Sequence, residues 1–103
     1  MHIIIWEYQV KTEKQSEFEA VYSPNGAWAE LFKKSAGFLN TELLRDEKHT
    51  QSYLTIDRWR SKEDYEIFQS QWEKEYKALD IQCEGLTECE SLIGNFGNHA
   101  VIF

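Results

Sequence analysis

The chain has 103 residues, enough for one small domain over 1–103 and too few for a second core. Its formal charge is −7, with 18 acidic residues scattered against 11 basic ones, which excludes the basic surface that nucleic acids and anionic membranes select. Four Trp, five Tyr and six Phe are a heavy load for so small an interior, and composition leaves two uses for them open: core filling, or the lining of a pocket or interface. Cys83 and Cys89 match neither a CxxC nor a zinc spacing. The opening Met1 to Trp6 lacks a basic region and an apolar stretch with a cleavage site, and no apolar run approaches a membrane span. These signals together predict a soluble, reduced, cytoplasmic protein.

The first segment, His2 to Lys11, begins with Ile3, Ile4, Ile5 and Trp6 and then alternates, which predicts a strand covered on both faces. Thr12 to Gln15 has capping-box spacing ahead of a helix with Phe18, Val21 and Tyr22 on one face. Pro24 stops that helix. Ser23 is placed to cap a second piece carrying Trp28, Leu31 and Phe32, and Gly37 to end it. Phe38 to Asp46 and Gln51 to Arg60 read as two strands of a hairpin joined by the polar Glu47 to Thr50. Ser61 is a natural N-cap, with Asp64 three residues on. The helix it opens runs from about Lys62 to Leu79, with Tyr65, Phe68, Trp72, Tyr76 and Leu79 as its apolar stripe. Asp80 to Leu86 reads as one more helical turn and Thr87 to Phe96 as a weaker strand. The tail to Phe103 ends apolar, which suits a docked end.

The order β-α-β-β-α-β is the ferredoxin-like pattern: an α+β fold with helices on one face of a four-stranded antiparallel sheet. The other face also needs cover, and a second copy of the chain is the simplest, so a homodimer packed sheet against sheet is expected.

Three stretches now carry a resemblance: the short N-terminal strand, Ala36 to Arg45 with its small-Gly-Phe entry to the second strand, and Tyr53 to Ser61, a strand that ends in Trp59 and runs into a capped helix. Together they resemble the antibiotic-biosynthesis-monooxygenase family, the dimeric α+β barrels, across essentially the whole chain. The resemblance implies a fold more specifically than a chemistry, because that family includes oxygenases of phenols, quinols and anthrones, haem-degrading enzymes and aldehyde-processing enzymes.

For a cofactor-independent oxygenase, the resemblance implies a water-poor aromatic slot in which a deprotonated substrate reduces O₂ without metal or flavin. Trp59 resembles the family's pocket Trp, and Tyr65 matches the aromatic partner of polyketide-oxidising members. The Asn that such members carry four residues before the Trp falls at Thr55 here, a departure that removes an amide. Tyr22, Trp28, Phe32, Thr55, Phe68 and Trp72 are the candidate substrate-binding set, with Trp59 and Tyr65 as the candidate catalytic pair. Packing is the competing reading for both of the pair, the favoured one for Tyr65 and an even one for Trp59. Haem degradation is disfavoured: its proximal His is missing from the helix, where Gln69 stands at the approximate position, and the first-strand Asn position holds Glu7.

No two of His2, His49 and His99 have metal-ligand spacing, so no metal is expected. His2 and solvated His49 read as bystanders. His99 reads as a tail bystander or as a base reaching a partner's pocket. Both cysteines read as structural thiols. Asp57 and Arg58 point to opposite faces of their strand, so one of them needs a buried partner; a structural ion pair is favoured over substrate binding, and the same holds for Arg45 and Glu42. Two functions fit these residues: a cofactor-free monooxygenase acting on a small aromatic substrate, or a non-catalytic homodimeric module, either binding a small molecule or purely structural.

Overall fold

The computed structural model describes residues 1–102, and Phe103 lies outside them. Strand β1 covers His2–Val10, where isoleucines and aromatics favour extended backbone. A 3₁₀ turn at Thr12–Lys14 leads into α1, Gln15–Tyr22. Thr12 is inside that turn and does not cap the helix; the turn closes through Lys14 N donating to Lys11 O at 2.9 Å. Ser23 does not cap a helix either. Pro24 suits the second position of a tight turn, closed by Gly26 N donating to Ser23 O at 2.9 Å, and α2 starts beyond it as Ala27–Phe32.

Strands β2, Phe38–Arg45, and β3, Ser52–Trp59, form the expected hairpin. Asp46 organises its loop, with Oδ1 accepting from the backbone N–H of Lys48 at 2.7 Å and of His49 at 2.8 Å. Gly37 is no helix cap, since it has an ordinary negative φ. A side chain there would put its Cβ 2.4 Å from the Asp64 Cβ, so glycine lets β2 begin against the next helix.

That helix opens as the sequence predicts: Ser61 Oγ accepts from Asp64 N at 3.1 Å. It is not continuous to Leu79. Helix α3 spans Lys62–Gln71 and α4 spans Glu73–Cys83, because Trp72 leaves helical geometry at φ −116°, ψ 24°. Hydrogen bonds from Trp72 N to Phe68 O and from Tyr76 N to Trp72 O, both 2.9 Å, carry the chain across the bend. Residues Asp80 to Cys83 finish α4, the Glu84–Leu86 turn is 3₁₀, and β4 runs Thr87–Gly97.

The sheet order is β2-β3-β1-β4, all antiparallel. The helices cover one face. Tyr53, Thr55, Asp57 and Trp59 of β3 are all buried on that side, in step with Ile4 and Tyr8 of β1. Phe18, Tyr22, Trp28, Leu31, Phe32 and Phe68 close the core above them. The opposite face carries Ile3, Ile5, Leu54, Ile56, Leu44 and Phe96, so the double apolar parity of β1 is covered on one side only within the single chain. Arg58 pairs with Glu42 on this outer face. In the tail, Asn98 Oδ1 accepts from the Met1 ammonium at 2.9 Å, while Val101 and Ile102 are exposed.

Because the Gly37 site has no room for a Cβ, Gly37→Ala is expected to cost about 1–3 kcal/mol by urea denaturation, through displacement of the first turn of α3.

Candidate active site

A cavity of about 290 Å³ lies between the sheet and the helices, near the lower end of ligand-pocket sizes. Its floor is the sheet: Trp6 and Tyr8 of β1, Thr41 of β2, Thr55 and Asp57 of β3, and Glu90 of β4. Its roof is Tyr22 of α1, Trp28 and Phe32 of α2, and Tyr76 and Asp80 of α4. The bend at Trp72 redirects α4 so that Tyr76 meets Trp28 edge to face, with ring centroids 4.9 Å apart.

Four residues of the sequence-derived set line this cavity: Tyr22, Trp28, Phe32 and Thr55. Four do not. Trp59 has no exposed surface and packs at 5.1–5.4 Å against Phe32, Phe38, Tyr65 and Phe68, one layer behind the cavity wall. Its Nε1–H finds no hydrogen-bond partner among the described residues. Tyr65 sits behind Trp59, its hydroxyl accepting from Gln69 Nε2 at 2.6 Å, and its ring lies 5.7 Å from that of His2, which is buried. Phe68 is fully buried between Phe32 and Trp59. Trp72 lies at the helix bend under the Lys34 ammonium, 4.9 Å from its ring.

Thr55 occupies the place where the family resemblance puts an amide. Its Oγ1 pairs with Tyr8 Oη at 2.8 Å, so a hydroxyl pair stands on the cavity floor. Tyr8 keeps its proton well above the ordinary tyrosine range, chiefly because burial disfavours the phenolate. Beneath the roof, the buried Cys83 thiol lies beside Tyr22 and Trp28 and is pushed up by burial, which suits a structural role. The Trp28 Nε1–H has no partner with hydrogen-bond geometry among the described residues.

Asp57 departs most from the sequence reading. The expected ion pair is made by its neighbour Arg58, and Asp57 itself has no salt-bridge partner among the described residues. The residue is 8% exposed and lines the cavity. Thr41 Oγ1 donates to its Oδ1 at 2.5 Å, and its Oδ2 accepts no hydrogen bond among the described residues. Burial without a cation raises its pKa from 3.8 to about 6, opposed only by the Thr41 bond. Asp80 and Glu90 add two more carboxylates to the wall, and among the described residues no Lys, Arg or His lines it. Burial raises Glu90 and the charge on Asp80 raises it further. The described residues contain no cluster of three or more metal-ligating side chains. The sequence signal for Asp57 was its even spacing with Tyr53, Thr55 and Trp59 along one strand face.

A carboxyl whose folded pKa is raised binds its proton more tightly in the native state. Its ionisation therefore costs nothing below pH 3.8 and its full penalty above about pH 6, an interval worth about 3 kcal/mol. Asp57→Asn keeps an acceptor for Thr41 and removes the charge. In urea titrations the variant is expected to exceed the parent by up to about 3 kcal/mol at about pH 8, and to match it at about pH 4.

The profile of antibiotic biosynthesis monooxygenases matches residues 1–78. No curated protein sequence matches the chain. Among solved structures, SnoaB of Streptomyces nogalater, described as a cofactor-independent oxygenase, is 21% identical with a TM-score of 0.73, over 98% of this chain and 95% of its own. A candidate antibiotic biosynthesis monooxygenase of Nitrosomonas europaea is 15% identical, with a TM-score of 0.71 over 95% and 98%. Another, of Deinococcus radiodurans, is 12% identical, with a TM-score of 0.75 over 100% and 97%. At these identities the likeness is one of fold, and the profile match over three quarters of the sequence carries the assignment: the chain belongs to the antibiotic biosynthesis monooxygenase family.

Proposed function

We propose that the protein is a cofactor-independent monooxygenase that oxidises a small aromatic substrate, a quinol, anthrone or similar phenol, with O₂. The observation that carries this reading is the aromatic cavity between sheet and helices, with a buried, unpaired carboxyl on its floor. Family membership supports monooxygenase chemistry, and SnoaB is a fold relative described in those terms. Tyr22, Trp28 and Phe32 supply faces against which a planar ring packs, while Thr55 and Tyr8 supply hydroxyls to orient its oxygen. Trp59, Tyr65 and Phe68 act through Phe32, fixing the position of the wall.

The test is oxygen consumption by the purified protein with a panel of anthrones and quinols, without added metal or flavin. Uptake is expected with wild type and is expected to fall about tenfold or more in Trp59→Phe, which loosens the wall behind Phe32. Absence of uptake across the panel, combined with ligand-induced thermal stabilisation, would instead favour the non-catalytic binding module.

The functional unit is proposed to be a homodimer joined through the outer sheet face. Support comes from the apolar residues left on that face, including Leu44 and Phe96, each more than two-fifths exposed. Light scattering is expected to give about twice the 12.2 kDa chain mass, and Phe96→Glu to give the monomer.

A further inference from the structure

We infer that Asp57 is the proton acceptor of this cavity, and that the site takes an uncharged ring compound bearing an acidic C–H or O–H. This rests on the oxygenase reading above and adds the residue that starts the reaction. The geometry selects Asp57. It lies on the cavity floor, one carboxyl oxygen is fixed by Thr41, and the other accepts nothing among the described residues. A base must hold an unshared pair facing the substrate, in a place where water does not compete for it.

The groups around Asp57 leave it alone in this role. From β1 comes Tyr8, from β2 Thr41, from β3 Thr55, from α3 Tyr65 and from α4 Tyr76. Burial raises all three phenols, so they keep their protons where Asp57 gives its own up. The remaining charged lining residues are Asp80 and Glu90. Neither is buried as deeply as Asp57, and both disfavour a substrate that arrives as an anion.

For an anthrone-type methylene the step balances without a cofactor. A ring C–H bond breaks, its proton goes to Asp57 Oδ2, and the electron pair stays on the ring. That carbanion is oxidised by O₂, which forms a C–O bond and is reduced to the peroxide level; the peroxide takes the proton back from Asp57. Loss of the second C–H proton with cleavage of the O–O bond releases water and leaves the carbonyl. One methylene and one O₂ thus give one carbonyl and one water, and Asp57 is again a carboxylate.

The proton step can be read apart from oxygen. Anthrone is incubated with the full chain in D₂O under argon, and loss of the methylene proton signal is followed by NMR. Oxygen uptake is measured in parallel. Wild type is expected to accelerate exchange, with a rate that rises with pH through a midpoint near 6. Asp57→Asn is expected to lose both exchange and uptake by about a hundredfold or more. Thr41→Val, which removes the hydrogen bond favouring the charged carboxylate, is expected to move the midpoint upward, a change that a purely structural role would not produce. Wild-type exchange that Asp57→Asn loses, without uptake, would keep Asp57 as the base and overturn the oxygenase reading. Uptake that survives in Asp57→Asn would overturn the inference and keep that reading. Neither exchange nor uptake in wild type would overturn both. Because Asp57→Asn relieves a buried charge, its unfolding curve separates lost chemistry from lost structure.

Discussion

A strand shows only alternate side chains to one face, and the organisation of this protein depends on how β3 spends that face. Tyr53, Thr55, Asp57 and Trp59 all point toward the helices. Tyr53 and Trp59 bracket the row as fully buried aromatics, so the two small polar residues between them are carried into the interior by the pleat. A one-residue slip in register would expose the rings and place Leu54, Ile56 and Arg58 under the helices, burying the Arg58 guanidinium. The aromatic ends thus hold in place a carboxyl that by itself favours water.

The aromatic layer divides into two parts. Around Trp59 the rings of Phe32, Phe38, Tyr65 and Phe68 close on one another and leave an indole N–H without a partner among the described residues. Around Tyr22, Trp28 and Tyr76 the rings stand off the sheet and enclose space. Phe32 belongs to both parts, so the packed half sets one wall of the open half. The energetic tension sits in the open half. An ionised, unpaired Asp57 weakens the fold as pH rises, which is the direction in which a base becomes competent.

The order of elements, the Ser61 cap and the helix-side packing were all legible from hydrophobic period and capping residues. The bend at Trp72 was not, because an apolar stripe at three- and four-residue steps continues through it without interruption. Composition left open whether the aromatic residues fill the core or line a pocket, because sequence ranks them by size and position, not by whether their neighbours fill the space beside them. Trp59, for which pocket and packing were even readings, lies one layer behind the cavity wall. Both parities of β3 carry large apolar residues, which left open whether Asp57 or Arg58 faced inward and needed the buried partner. Only the register against β1 and β2 decides that.

The cavity wall has a consequence for encounter kinetics. Asp57, Asp80 and Glu90 line it with no Lys, Arg or His among the described lining residues, in a chain of formal charge −7. Field lines from a low-dielectric cleft focus through its mouth, so an approaching ion senses the wall before it touches it. Anions are slowed and cations drawn in, and dissolved salt compresses both effects into a shell about 8 Å deep at physiological ionic strength. A ring compound that arrives as an anion would meet this barrier, while its uncharged form would not, so protonation state in solution would set the rate of encounter with the cavity.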